Sequence, residues 1–180
     1  AKNNTVLFKD TVNGTYDLTI GNNANATNVT FEKSAGSTDV INSLFVKGNI
    51  TAKDKITTKG NISVGGTSSI TSATSQSGAI SLSGNAIASG NVLASGNITF
   101  GKNANINEVT SSNGAISVGG TTLANANITS AQSQTFNGAF TLQNDITFVA
   151  SKVEFKGKVD SKAGSNYSAT FGNETVKTSA

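Results

Sequence analysis

The side chains that could carry out acid–base or nucleophilic chemistry are few in this chain and lie far apart. Histidine, cysteine and arginine are absent, which removes the commonest general base, the thiolate nucleophile and the preferred ligands of zinc. The carboxylates occur singly rather than in the close pairs that glycoside hydrolases use. We therefore expect no enzyme, no catalytic residue, no metal and no cofactor. The carboxylates are Asp10, Asp17, Glu32, Asp39, Asp54, Glu108, Asp145, Glu154, Asp160 and Glu174.

Lysine is the only basic side chain, and it is concentrated in two groups. The first lysine group is Lys47, Lys53, Lys55 and Lys59, and the second lysine group is Lys152, Lys156, Lys158 and Lys162. Basic patches attract acidic or sulfated glycans, and the second group is our candidate for glycan contact. The competing interpretation, which we favour, is that these lysines keep strand surfaces soluble and prevent edge-to-edge aggregation. The net charge of +3 is too small to indicate a nucleic-acid partner.

The sequon Asn-x-Ser/Thr recurs along the chain and marks candidate sites of N-glycosylation. The candidates that we single out share an isoleucine after the asparagine. A structural interpretation competes with modification, because Asn followed by Ile and Thr also suits a corner that leads into a strand. The candidate residues are Asn49, Asn61, Asn97 and Asn127.

Apolar residues alternate with polar ones wherever they occur, which is the pattern of β-strands. Ile98 and Phe100 flank Thr99, and Val153 and Phe155 flank Glu154. No stretch has the 3.6-residue apolar period of a helix, and no apolar run approaches the length of a membrane helix. We therefore predict an all-β protein without membrane insertion.

Internal repeats indicate how the strands are organised. The phrase Thr19–Thr30 returns at Thr99–Thr110 with an offset of 80, and Ile62–Thr67 returns at Ile116–Thr121 with an offset of 54. A third phrase, Gly78–Leu82, returns at Gly138–Leu142 with an offset of 60. The offsets of 54 and 80 predict coils of roughly 20 to 27 residues, and the drift to 60 indicates coils of variable length with loop insertions. Such coils stack as a parallel β-helix in which each coil buries the next.

The dipeptide Gly-Asn recurs at Gly84, Gly90 and Gly96. We interpret it as a corner between two sheets, where Gly supplies a positive φ, and where Asn tolerates the same conformation and bonds the Asn of the next coil. Ala86, Ala88 and Ala94 should then line a narrow core, and the phenylalanines near both ends should widen it. The six-residue spacing suits a left-handed β-helix, but it persists so briefly that we favour a right-handed one.

Residues 130–160 resemble the repeats of filamentous haemagglutinin-type exoproteins. The resemblance lies in three stretches, Ser133-Gln-Thr-Phe-Asn-Gly-Ala-Phe-Thr-Leu142, Asp145-Ile-Thr-Phe148 and Val153-Glu-Phe-Lys-Gly-Lys-Val159. The Gly-Asn-Ile-Thr phrases are similar to that family and to autotransporter passengers. The resemblance implies a right-handed β-helix shaft of a large secreted bacterial adhesin. No secretion-domain signature is present, which favours a shaft over a secretion-targeting domain.

These observations lead to one functional expectation and two alternatives. Residues 1–180 should form a single solenoid segment, excerpted from a longer repetitive protein that is secreted or held at the bacterial cell surface. It should contact the remaining coils of that protein and, weakly, glycans or proteins of host or bacterial surfaces. The first alternative is a glycan-binding or glycan-cleaving β-helix. The second is an ice-binding solenoid, which requires a flat ladder of threonines, whereas threonine here is scattered in sequence.

Overall fold

The chain folds into a parallel β-solenoid of about 7 turns. The computed structural model describes residues 4–21, 27–172 and 174–177, the last of these in backbone only. The described residues form strands and turns but no helix. The strands are β1 Asn4–Phe8, β2 Leu18–Ile20, β3 Thr27–Phe31, β4 Leu44–Val46, β5 Asn49–Thr58, β6 Ile62–Val64, β7 Ser68–Ser75, β8 Ile80–Leu82, β9 Ala86–Ala88, β10 Val92–Ala94, β11 Ile98–Phe100, β12 Ala104–Ile106, β13 Val109–Ser111, β14 Ile116–Val118, β15 Thr122–Ala124, β16 Ile128–Ser130, β17 Ser133–Phe136, β18 Phe140–Leu142, β19 Ile146–Val149, β20 Lys152–Phe155, β21 Val159–Ser161, β22 Ser168–Phe171 and β23 Glu174–Lys177.

The strands stack into three faces that run along the solenoid axis. The first face is an 8-stranded sheet of β2, β4, β6, β8, β11, β14, β17 and β20. The second face contains β1, β3, the first halves of β5 and β7, and then β9, β12, β15, β18 and β21. The third face contains the second halves of β5 and β7, and then β10, β13, β16, β19 and β22. Pairing is parallel throughout except between β22 and β23, which run antiparallel.

The central part of the solenoid has an 18-residue coil, which is shorter than the sequence repeats predicted. On the first face Ile62, Ile80, Ile98 and Ile116 pair in succession at this constant interval. The longer coil estimated from the repeats is therefore wrong for this part of the chain. The offset of 54 spans three such coils, and the offset of 80 adds the longer N-terminal step from Leu18 to Leu44.

The offset of 60 has a different origin, because its two copies lie on different faces. Ile80 belongs to the first face, whereas the equivalent Phe140 belongs to the second. The offset is three coils plus one six-residue face, so it does not indicate a longer coil. Six-residue faces are also the spacing expected of a left-handed solenoid, and right-handed winding therefore stays a prediction.

The inward and outward positions follow the predicted alternation. Ile98 and Phe100 are fully buried, whereas Thr99 between them is exposed. Ala86, Ala88 and Ala94 are buried as predicted and line the narrow part of the core. Burying one face of every strand against the other two faces supplies the apolar contact that no single coil makes alone.

Aromatic side chains fill the core toward the two ends, where the coils lengthen. Five rings near the C-terminus pack with centroid distances from 4.7 to 6.1 Å, mostly edge to face between faces and stacked along each face. Near the N-terminus Phe8 stacks on Phe31 at 4.8 Å. Longer coils accommodate these larger side chains at ordinary packing density. The C-terminal rings belong to Phe136, Phe140, Phe148, Phe155 and Phe171.

Candidate functional site

The three Gly-Asn dipeptides occupy the three successive corners of one coil. They precede β9, β10 and β11, which belong to the second, third and first faces. The predicted positive φ is wrong for Gly84, Gly90 and Gly96, since positive φ among the described glycines occurs elsewhere. A Cβ on Gly84 would collide with a carbonyl oxygen of the preceding coil, and a Cβ on Gly90 or Gly96 would lie 2.6 or 3.1 Å from one. The glycines are needed because adjacent coils approach closely at the corners.

Asparagine at the corners ties each coil to the next through its side-chain oxygen. Asn97 Oδ1 accepts a hydrogen bond from the Ala115 amide at 2.9 Å, and Asn61 Oδ1 accepts one from Ala79 at 2.8 Å. The predicted bonding between asparagine side chains of successive coils occurs where Asn49 Nδ2 donates to Asn28 Oδ1 at 2.9 Å and where Asn125 Nδ2 donates to Asn105 Oδ1 at 3.0 Å. Elsewhere the usual partner is a backbone amide, because a strand start leaves its N–H without a ladder partner.

All four candidate glycosylation asparagines take part in this corner bonding. Asn49 Oδ1 accepts from the Thr67 amide and Asn127 Oδ1 accepts from the Thr147 amide, both at 2.8 Å. Asn49 also donates through Nδ2, so both polar ends of its amide are engaged within the protein. The sequons therefore have a structural role, and their glycosylation stays a prediction.

Buried hydroxyl groups support the corner between the third and first faces. Ser75 Oγ donates to the Gly60 carbonyl at 2.7 Å and accepts from the Gly78 amide at 3.0 Å. Ser111 Oγ makes the equivalent bonds with the Gly96 carbonyl and the Gly114 amide, at 2.8 and 3.0 Å. Sequence reasoning missed this feature, although the spacing Ser-x-x-Gly signals it.

The first lysine group is distributed around the solenoid rather than gathered in one patch. Lys47 follows β4 at the corner between the first and second faces, and Lys53 and Lys55 lie in the part of β5 that turns toward the third face. Lys59 lies beyond β5 at the corner that leads back to the first face. Lys53 Nζ is 2.7 Å from Glu32 Oε2. These lysines lie at different positions around the axis, so the structure does not bring them together.

The second lysine group lies at the C-terminal end on two adjacent faces. Lys152 and Lys156 bracket β20 on the first face, and Lys158 and Lys162 bracket β21 on the second. Two members form ion pairs within their own strand regions. Lys152 Nζ lies 3.3 Å from Glu154 Oε2, and Lys158 Nζ lies 3.0 Å from Asp160 Oδ2. These carboxylates offset part of the positive charge that would attract an acidic glycan, and glycan contact here stays a prediction.

Two carboxylates have structural hydrogen bonds that lower their pKa values. Asp145 Oδ1 accepts from the backbone amide and the hydroxyl of Ser168, both at 2.8 Å, and the amide is the larger cause of the lowered pKa of Asp145. The Thr11 amide and then the Lys33 ammonium lower the pKa of Asp10 in the same way. Among the described residues no group of three or more Asp or Glu is placed to hold a metal ion.

The outer surface of the second face carries a chain of shallow, uncharged grooves. The largest has a volume of about 440 Å³, and two neighbours of about 300 and 250 Å³ share Ile87 with it. Ile87 is 53% exposed and Leu123 is 38% exposed, both at outward positions of the second face. We name this surface the second-face groove. Its lining between coils consists chiefly of Asn49, Thr51, Thr67, Ser69, Asn85, Ile87, Asn103, Asn105, Thr121, Leu123 and Asn125.

The sequence contains one signal for this groove. Once Ala86 and Ala88 are assigned inward, alternation places Ile87 outward, where a large apolar side chain has no role in the core. Exposed apolar residues within an otherwise polar surface are typical of interaction sites. The second-face groove is therefore the feature of the described surface that most resembles a binding site.

The first face displays a column of hydroxyl side chains. They stand at successive outward positions, so the hydroxyl groups are ordered in space although they are scattered in sequence. Three of the five are serine, and the threonine ladder that ice binding requires is therefore not formed by this column. The column consists of Ser63, Ser81, Thr99, Ser117 and Thr135.

Comparison with protein-family models, with curated proteins and with solved structures finds no match to this chain. The described part of the chain has no helix of the length and apolar character that a bilayer crossing needs. The class that the geometry defines is a parallel β-solenoid built from three six-residue faces.

Proposed function

We propose that this chain is a shaft segment of a secreted bacterial surface adhesin. A shaft of this kind holds distal binding regions away from the cell and multiplies weak contacts along its sides. The observation that carries the proposal is that the recurring residues of the haemagglutinin-like phrase, Gln134, Phe136, Asn137, Gly138 and Leu142, serve coil stacking. The resemblance thus rests on positions whose chemistry suits a repetitive shaft.

These five residues contact either the core or the preceding coil. Phe136 and Leu142 are fully buried, and Gln134 donates from the core to the carbonyls of Ile128 and Val149 at 2.9 and 3.0 Å. Asn137 Nδ2 donates to a carbonyl of the preceding coil at 2.9 Å. A Cβ on Gly138 would lie 2.5 Å from a backbone carbon of that coil.

The C-terminal end has apolar surface and strand edges on which a further parallel coil can stack. Val153, Phe155 and Val159 are only partly buried there. Among the described strands β20 and β21 each pair on one side only, whereas β23 covers the outer edge of β22. Unpaired edges with half-buried apolar side chains favour addition of another strand layer. This supports the proposal that further coils of a longer protein are partners of this segment.

Deletion of one whole coil tests the shaft proposal. The chain is displayed on a bacterial surface between an anchor and a well-characterised binding module, with and without residues 66–83, which make up one 18-residue coil. A shaft should keep the attachment conferred by the module, because the deletion restores the register of all three faces. Loss of attachment by a deletion variant that still melts cooperatively would contradict the proposal, since a spacer does not depend on one internal coil.

Glycan binding is the second candidate, and the second-face groove favours it. Cleavage has no comparable support, because Asp10 and Asp145 are engaged in structural hydrogen bonds. Incubation of the chain with acidic and neutral polysaccharides distinguishes the two activities. Formation of unsaturated or reducing ends would establish cleavage and contradict the expectation that the chain is not an enzyme.

A further inference from the structure

We propose that the second-face groove is a lateral binding site for a neutral, extended polysaccharide. This inference deepens the proposed function, because it gives the shaft one side on which glycans attach. The adjoining grooves share Ile87 and cross several coils, so they form a strip parallel to the axis. A strip of this shape suits a polymer that lies along the axis better than a single small molecule.

Because the strip carries no charged side chain, it favours a ligand that is also uncharged. Between residues 60 and 144 the sequence contains two charged residues, Lys102 and Glu108, and neither lines the groove. A sulfated or uronic-acid polymer would lose hydration here without gaining a counter-charge, which is unfavourable. A polymer of neutral sugars has no such cost, and its hydroxyl groups match amides and hydroxyls on the protein.

Amide donors along the strip are oriented toward the solvent. Asn85 Oδ1 accepts from the Asn103 amide at 3.3 Å, and Asn103 Oδ1 accepts from the Thr121 amide at 2.9 Å. Since the oxygen must face the backbone donor, the Nδ2 group of each side chain faces away from it. Neither Nδ2 group has a protein acceptor within the described ranges, so both are available to sugar hydroxyls.

Two apolar side chains flank a further side-chain amide along the axis. Ile87, Asn105 and Leu123 occupy consecutive outward positions, with the amide between the two apolar side chains. Coils stack at about 4.8 Å, which places Ile87 and Leu123 about 9.6 Å apart. A sugar ring has an apolar C–H face and a polar rim, and a chain lying on the strip would meet two apolar side chains that are two coils apart.

Binding of the whole chain to a panel of polysaccharides tests the inference. The panel contains soluble β-glucan, mannan, galactan and chitin oligomers, with heparin as the acidic comparison, at about 0.15 and 1 M NaCl. We expect retention by at least one neutral polymer with little dependence on salt. The double variant Ile87→Ser, Leu123→Ser should weaken that binding at least about tenfold, through loss of both apolar side chains.

Leu93→Ser is the matched control, because Leu93 lies at an outward, half-buried position of the third face. It should leave binding unchanged, and thermal melts of all variants establish that the fold is retained. Three results would overturn the inference: no neutral polymer is retained, Leu93→Ser weakens binding as much as the double variant, or sedimentation shows that Ile87 and Leu123 mediate self-association instead. Each result leaves the coil-deletion test of the shaft unaffected.

Discussion

The central coils and the C-terminal coils differ in length and in the side chains that fill their cores. Between Leu44 and Gln134 the first face keeps a constant 18-residue repeat over a core of aliphatic side chains and alanines that contains one buried ring, Phe100. Beyond it the interval between paired residues grows, first slightly from Gln134 to Val153 and then further from Phe148 to Phe171, around aromatic rings. A core made mainly of aliphatic side chains permits coils of constant length on the first face, whereas several rings packed at different orientations accompany longer and less regular coils.

The surfaces of the two regions differ in parallel with their cores. Most of the central region is nearly uncharged, since residues 60–144 contain two charged residues, Lys102 and Glu108, and the first lysine group lies in its first coil. The C-terminal coils carry lysines paired with acids. Identical coils place like residues directly above one another, and like charges at that spacing repel. In coils of irregular length, different residues stack on one another, so positive and negative side chains can be neighbours.

Truncation of an aromatic ring at the C-terminal end should have the largest effect on stability. Phe136 contacts the rings of Phe140, Phe148 and Phe155. Phe136→Ala should lower the free energy of unfolding by about 3–5 kcal/mol, because it removes transfer energy and opens a cavity. Urea denaturation measures the change. A loss below that of Ile98→Ala would show that the aromatic end is less tightly packed than the central coils.

Truncation of a side chain in the central coils should reduce stability somewhat less. The loss should depend strongly on whether the side chain points into the core or outward. Ile98→Ala should lower the free energy of unfolding by about 2–5 kcal/mol, since Ile98 is fully buried. Thr99→Ala, on the exposed side of the same strand, should change it by about 0.5 kcal/mol or less. Equal losses in thermal melts of the two variants would mean that the inward and outward assignment is wrong.

Alanine at a corner glycine should destabilise the fold more, the closer the added Cβ comes to the preceding coil. Gly84→Ala places a Cβ in direct conflict with the Gly66 carbonyl oxygen and should cost about 1–3 kcal/mol. Gly96→Ala meets the Gly78 oxygen at 3.1 Å and should cost less. Denaturation midpoints of the two variants provide the comparison. The reverse order would indicate that something other than coil contact requires these glycines.

Removal of a corner asparagine should have a moderate effect. Asn97→Ala leaves the Ala115 amide without its acceptor and should cost about 1–2 kcal/mol. Asn91→Ala is the control, because the Asn91 side chain makes no hydrogen bond within the described residues. Hydrogen exchange of the Ala115 amide should accelerate in the first variant and not in the second. Unchanged exchange in Asn97→Ala would argue against the corner bond.

The smallest effect should come from Asp145, and it should depend on pH. Hydrogen bonds from Ser168 lower the pKa of Asp145 below the ordinary 3.8. The stabilisation is therefore present above that ordinary value and disappears as pH falls through the lower folded pKa. Asp145→Asn should be less stable than wild type at pH about 7 and equal to it well below the folded pKa. Melts at both pH values measure this, and a difference that persists in acid would exclude titration of Asp145 as its cause.

The strand pattern was predictable from sequence, whereas the coil length was not. Alternation such as Ile98, Thr99 and Phe100 reports the face of each residue directly, because the side-chain period of a strand is two. Coil length requires knowing which face each repeat belongs to. The offset of 54 covers three coils of 18 residues, and the offset of 80 includes the longer step from Leu18 to Leu44, so dividing them gave too long a coil.

The corners and the lysines show a second limit of the sequence. A glycine needed for a left-handed φ and a glycine needed for close approach look alike, which is why Gly84 was misinterpreted. Lys47, Lys53 and Lys59 are neighbours in sequence, but their six-residue spacing places them at three successive corners. The second-face groove was missed because its amides come from different coils and meet only after stacking.

The uniform central coil also has a genetic consequence. An in-frame duplication of an 18-residue window within the central coils would restore the register of the first and second faces, whose paired residues lie 18 apart. On the third face the interval alternates between 17 and 19, so the position of the window decides whether that face also stays in register. Such a duplication would lengthen the rod by about 4.8 Å. Duplication of a six-residue unit would instead move every following phrase to the neighbouring face. The similar phrases that contain Ile80 and Phe140 lie on different faces in this way. The length of the solenoid is thus a quantity that recombination within the gene can change in small steps.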